Sequence, residues 1–192
     1  MPSTRQRIVS AATELFLASG YNATSLRMIA DQIGITQAAV YYHFRAKDEL
    51  LAALLGPLLH SYQEVLDEAE ERAGRERTVD RRALLGAVFD CLWEHRAALR
   101  LISGDLSIEA HPTYAPRIDA IYRRLCTLLT NPGDTTSQPL AHAALGVLVE
   151  PLTRLPPENL DGAREVLLDA AVRVLDTPHP PPSGSNGGRA IR

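Results

Sequence analysis

Residues 25–44, SLRMIADQIGITQAAVYYHF, gather side chains suited to reading a nucleic acid. Glutamine donates to and accepts from base edges, and alanine packs against thymine methyl groups. Gln37, Ala38, Ala39, Tyr41 and His43 fall within one short segment that has helical character. Its small residues let a helix backbone enter a major groove. Thr36 stands where a helix N-cap belongs, leaving amide groups and a positive dipole end open to a phosphate. On the residues alone, a small helical hairpin whose polar groups are merely solvated stays open beside this reading.

Other chemistry finds little footing. No Gly-x-Ser-x-Gly, no phosphate-cradling glycine loop and no Cys/His ligand spacing occurs. Glu150 and Arg154 stand at i, i+4 and read as a helix-surface pair. Two cysteines, Cys91 and Cys126, support neither a disulfide framework nor a metal cluster. No catalytic residues, no metal and no cofactor are expected.

The elements that must position these groups read as helices throughout. Ile8, Ala11, Ala12, Leu15 and Phe16 give a first helix one apolar stripe, and Gly20 ends it. Ser25 caps a second over residues 26–33, closed by Gly34; Thr36 caps a third, residues 37–43. Ile29, Ala30 and Ile33 face inward on one, Ile35 and Val40 on the other. Together they make a helix-turn-helix. A fourth helix is predicted from Lys47 to about Arg72, kinked or interrupted at Pro57, then a polar connection from Gly74 to Val79. Apolar-periodic segments follow at about 80–95, 97–104, 115–130, 138–153 and 158–176, with a break at residues 131–134. Alternating strand patterns and internal repeats are absent. The expectation is an all-α chain of about nine helices, divided at 1–46, 47–176 and a disordered Pro/Gly/Ser-rich tail at 177–192.

The 192 residues carry a formal net charge of -3, so the chain is not a blanket nucleic-acid binder. No run reaches the roughly 20 apolar residues a membrane span needs, and the N-terminus lacks signal-peptide character. A cytoplasmic location is expected.

Gly20-Tyr21, Thr24-Ser25, Ile29-Ala30, Gly34-Ile35-Thr36, Tyr41-Tyr42-His43-Phe44 and Lys47-Asp48-Glu49-Leu50 stand at the spacing of the TetR-family DNA-binding domain, which about the first 50 residues closely resemble. The resemblance implies that Arg27, Gln37, Ala38, Ala39 and Tyr41 meet base edges, and that Ser25, Thr36, Tyr42, His43 and Lys47 lie near the phosphate backbone. Two departures stand out: Gln37 where lysine is frequent, and Ala46 where a capping residue often begins the fourth helix.

Beyond residue 50 the resemblance implies architecture: a helical core with a ligand cavity, and two late helices that pair in a homodimer. Phe89, Trp93, Tyr114 and Tyr122 are the candidate lining of that cavity, though each also reads as core packing. The implied function is a homodimeric repressor on near-palindromic double-stranded DNA, released by an unidentified small-molecule effector, without membrane attachment. Control by a protein partner or by cysteine oxidation is the alternative.

Overall fold

A computed structural model describes residues 2–130, 137–160 and 162–178. Within them lie ten α-helices, one 3-10 turn and no strand. The predicted break at 131–134 and most of the predicted tail, from residue 179, fall outside the described residues.

Helix α1 (Thr4–Ser19) opens on a capping box: Ser3 Oγ accepts the Gln6 N–H at 3.2 Å, and Ser3 N–H donates to Gln6 Oε1 at 2.7 Å. Its buried stripe is Ile8, Ala11, Ala12 and Phe16. Full burial of a side chain such as Phe16 stabilises by about 2–3 kcal/mol. Helices α2 (Leu26–Ile33) and α3 (Gln37–His43) pack beneath α1 through Leu26, Ile29, Ala30 and Val40.

Helix α4 runs from Lys47 to Glu76, 30 residues, which is about 45 Å of rod. The helix is not interrupted at Pro57, and it runs on to Glu76, through half of the segment expected as a polar connection. Residues 67–76, DEAEERAGRE, are mostly strong helix formers, and Arg72–Glu68 and Arg75–Glu71 pairs support them at i, i+4. Arg77, in the left-handed region at φ 59°, ends the helix.

Around α4 gather α5 (Arg81–Glu94), α6 (Arg96–Gly104), the single turn α7 (Leu106–Glu109) and α8 (Ala115–Leu129). The turn α7 went unforeseen, since four residues carry no readable periodicity. Helices α9 (Gln138–Arg154) and α10 (Ala163–Leu175) pack closely on each other through Ala141, Ala144, Leu148, Leu168 and Ala171. The last helix starts five residues later than predicted: Pro157–Asn159 form a 3-10 turn and Gly162 turns at φ 73°, leaving Leu160 buried outside the helix.

Candidate nucleic-acid interface

The turn between α2 and α3 needs a residue without Cβ. Gly34 sits at φ 68°, and its N–H and that of Ile35 both close onto the end of α2, Ile35 donating to Ala30 O at 3.1 Å. Each helix is capped as its sequence suggests: Ser25 Oγ accepts the Met28 N–H and Thr36 Oγ1 the Ala39 N–H, both at 3.2 Å. Arg7 of α1 donates to Ile33 O at 2.9 Å and fastens the C-terminal end of α2. Gln32 and Glu14 hydrogen-bond at 2.6 Å on the surface above.

With Val40 fully buried, the rest of α3 turns outward. Gln37 and Ala38 are exposed, Ala39 and His43 half-buried, Tyr41 49% exposed and Tyr42 86% exposed. Two exposed tyrosines thus stand on a seven-residue helix, Tyr41 about half covered and Tyr42 almost bare. Tyr42 meets only the edge of His43, ring centroids 5.2 Å apart. Arg27 is exposed on α2 with a loose 3.7 Å contact to Asp31, weak enough to yield to another anion. Ser25 and Thr36 use their oxygens as caps, yet both remain exposed and keep a hydroxyl hydrogen to donate. Nine of the ten sequence-predicted contact residues are thus exposed or half-buried on α2, α3 and their caps.

The tenth is placed differently. Lys47 Nζ donates to Tyr21 O at 2.6 Å, Thr24 O at 3.0 Å and Asn22 O at 3.3 Å, and lies 4.3 Å from the centre of the Tyr21 ring. All three donor positions of the ammonium are engaged. Burial pushes its pKa below the ordinary lysine value, while Asp48 and Asp105 oppose that shift. Lys47 therefore holds the α1–α2 turn against α4. It also compensates for Ala46, which makes no cap, together with Glu49 Oε2 accepting the Arg45 N–H at 2.9 Å.

Two cations that were not singled out flank the face. Arg45 follows α3 with its side chain exposed, and Arg5 lies over the Phe44 ring at 4.8 Å. Arg45's place directly after the C-terminal end of α3 was the available signal.

The same turn is anchored a second time. Asp105, at the C-terminal end of α6, accepts the Tyr21 N–H, and the Tyr21 hydroxyl donates to Asp48 of α4. His111 stands 3.9 Å from Asp48 and edge-on to Tyr21 at 6.0 Å. Burial and then the Asp48 hydrogen bond push the Tyr21 phenol well above its ordinary pKa, so it stays a donor.

Deeper, between α4, α5, α6, α8 and α9, a cavity of about 210 Å³ is lined largely by leucine and isoleucine. Of the four predicted lining residues, only Tyr122 reaches it. Phe89 and Trp93 stack on each other at 6.3 Å with Arg164 and Arg96 beside them, and Tyr114 is buried against His111. Tyr62, which sequence reasoning missed, does line it.

A helix-turn-helix reader carried on a wholly helical core is the class this geometry defines. Residues 8–54 match the family described as bacterial regulatory proteins, tetR family. The regulator SrpR of Pseudomonas putida is 47% identical over 57 residues, 30% of this chain and 27% of its own length. The regulator TtgR, also of Pseudomonas putida, is 34% identical over 87 residues, 45% of this chain and 41% of its own. The chain thus spans less than half the length of either relative. The ketosteroid regulator KstR2 of Mycobacterium tuberculosis superposes with a TM-score of 0.67 at 20% identity, covering 92% of this chain and 95% of that one, a likeness of fold. Over residues 8–54, then, the chain is similar to the bacterial regulatory proteins of the tetR family, and over most of its length it shares the fold of such regulators.

Proposed function

We propose that the chain is a homodimeric repressor, its reader spanning residues 1–46 and its effector-binding and pairing part residues 47–176. The observation that carries this reading is the outward face of α3: Gln37, Ala38 and Tyr41 are presented on a rigid, capped helix with nothing in the described chain to cover them. In a two-fold dimer two such helices enter successive major grooves, roughly 34–36 Å apart, on a near-palindromic operator. Helices α9 and α10 supply the pairing surface. Ala143 and Gly146 leave the outer side of α9 open to close approach, and Val166 on α10 is 68% exposed.

Release follows from the two ends of α6. Leu99, Ile102 and Ser103 line the cavity, and Asp105 at its C-terminal end holds the reader by the Tyr21 N–H. A small molecule that favours a shifted α6 changes the seat of the reader, and DNA dissociates by differential affinity for the two states. Such a protein works in the cytoplasm; no helix among the described residues is long and apolar enough to cross a membrane.

The test is titration of the purified protein onto DNA from upstream of its own gene, with random DNA as competitor, at two salt concentrations. Competitor-resistant binding at two chains per site supports the reading. Binding that random DNA abolishes equally, at both salts, contradicts sequence-specific repression from that site.

A further inference from the structure

The cavity has an unusual polar inventory. Its walls are aliphatic, Leu58, Leu92, Ile121, Leu125 and Leu145 among them, and no Asp, Glu, Lys, Arg or His lines it among the described residues. Three hydroxyls supply the only polar side-chain groups, those of Tyr62, Ser103 and Tyr122. None of the three makes a hydrogen bond within the described residues, and since no sealed-off side-chain oxygen there lacks a partner, each of these hydroxyls faces open space. Ser103 lies at the exposed mouth, while Tyr62 and Tyr122 are half-buried. Burial, and then the neighbouring Cys91 and Tyr122, push the Tyr62 phenol above its ordinary value, so it keeps its proton and can donate.

A charged ligand here would surrender its hydration with no opposite charge to replace it, a loss of several kcal/mol. An entirely apolar one would leave the hydroxyls unused. Size narrows the choice further. An apolar cavity of about 150 Å³ takes benzene, so the 210 Å³ here suits about eight to ten heavy atoms. We infer that the cavity binds an uncharged, mostly apolar molecule of that size, bearing one hydroxyl or carbonyl oxygen that meets the Tyr62 hydroxyl. The inference rests on the effector reading of this cavity and adds the chemical class of its occupant.

Three probes within that size range test it by calorimetric titration of the full chain: 4-ethylphenol, ethylbenzene, and the carboxylate of 4-methylbenzoic acid. The phenol should bind tightest, ethylbenzene about fivefold more weakly, the loss of one neutral hydrogen bond, and the carboxylate not measurably. Tyr62→Phe should weaken the phenol about fivefold and leave ethylbenzene unchanged. A disturbed fold would weaken both, so equal losses overturn the assignment of Tyr62. Ile118→Trp, at the cavity wall, should abolish binding of all probes; undiminished binding places them elsewhere and overturns the proposal. Carboxylate binding as tight as the phenol's, or no binding by any probe, overturns it as well. Release of operator DNA is read separately. A phenol that binds without releasing DNA leaves the ligand class standing and removes the effector reading. A carboxylate that releases DNA keeps the effector reading and removes the ligand class.

Discussion

Asp105 accepts the backbone N–H of Tyr21 at 2.6 Å across 84 residues of sequence, joining the end of a cavity-lining helix to the turn that seats the DNA reader. The same carboxylate accepts the Ser107 N–H at 2.9 Å and the Ser107 hydroxyl at 2.6 Å, so one side chain both caps α7 and holds the reader. Burial alone would raise its pKa. Hydrogen bonds from Ser107, Tyr21 and the following turn outweigh that and hold the carboxyl below its ordinary value.

Replacing Asp105 with alanine leaves the half-buried donors without their acceptor and should cost about 1–3 kcal/mol, measured by urea unfolding. The pH dependence has a definite sign. A carboxyl whose native pKa is depressed stabilises above its unfolded value, about 3.9, and that stability fades as pH falls through the lower native value. The gap between wild type and Asp105→Ala should therefore be full at neutral pH and narrow steadily below about pH 4. A gap that stays constant to pH 2 would show that the carboxylate charge contributes nothing.

With all three donors of the Lys47 ammonium engaged within the chain and Arg45 exposed beside α3, the phosphate contact is expected from Arg45. Lys47→Ala removes an ammonium bonded to three carbonyls and should lower stability by about 1–3 kcal/mol, with little change in the salt dependence of DNA binding. Arg45→Ala leaves folding intact and should flatten the slope of log affinity against log salt by about one unit. Filter-binding titrations at four salt concentrations, paired with urea melts, check both variants. A flattened slope in Lys47→Ala at unchanged stability would return the phosphate contact to Lys47.

What could be read from sequence was what is local. Ser25, Gly34 and Thr36 cap and turn within three or four residues of their partners, so the reader was visible as a string. The convergence of the Tyr21, Asn22 and Thr24 carbonyls on Lys47 is not legible in the string, because it comes from the packing of α4 against the α1–α2 turn. The cavity was the least legible part. Its leucines and isoleucines look like any core, and a gap between helices leaves no periodic trace. Phe89, Trp93 and Tyr114 are conspicuous aromatics in apolar segments, yet Phe89 and Trp93 stack on each other and Tyr114 packs beside His111. Tyr62 hid within a helix whose neighbours, Gln63 and Glu64, are exposed.

Tyr41 offers the cleanest separation of binding from folding. It is 49% exposed and makes no hydrogen bond among the described residues, so Tyr41→Ala should shift the unfolding midpoint little, within about 0.5 kcal/mol. Loss of one base-reading contact costs about 1–3 kcal/mol, roughly tenfold or more in operator affinity, measured by fluorescence anisotropy. Non-specific DNA should be bound nearly as before. Equal weakening on both DNAs would assign Tyr41 to the phosphate backbone instead of the bases.

Oxidative control makes a different demand on the same chain, because a sensing cysteine must be a thiolate within reach of solvent. Cys91 and Cys126 are both buried and unpaired. Burial, with Glu94 and Glu64 adding to it, pushes the Cys91 thiol up to about 11, and burial alone raises Cys126. At pH 8 the Cys91 thiolate fraction is then about one in a thousand. Iodoacetamide should label the native protein far more slowly than the urea-unfolded chain. Hydrogen peroxide at submillimolar concentration should leave operator affinity unchanged, and a Cys91→Ala/Cys126→Ala double variant should respond to small-molecule ligands as the wild type does. Rapid alkylation of the folded protein, with loss of DNA binding that a thiol reductant restores, would instead make the cysteines the sensor and reduce the cavity to a packing defect.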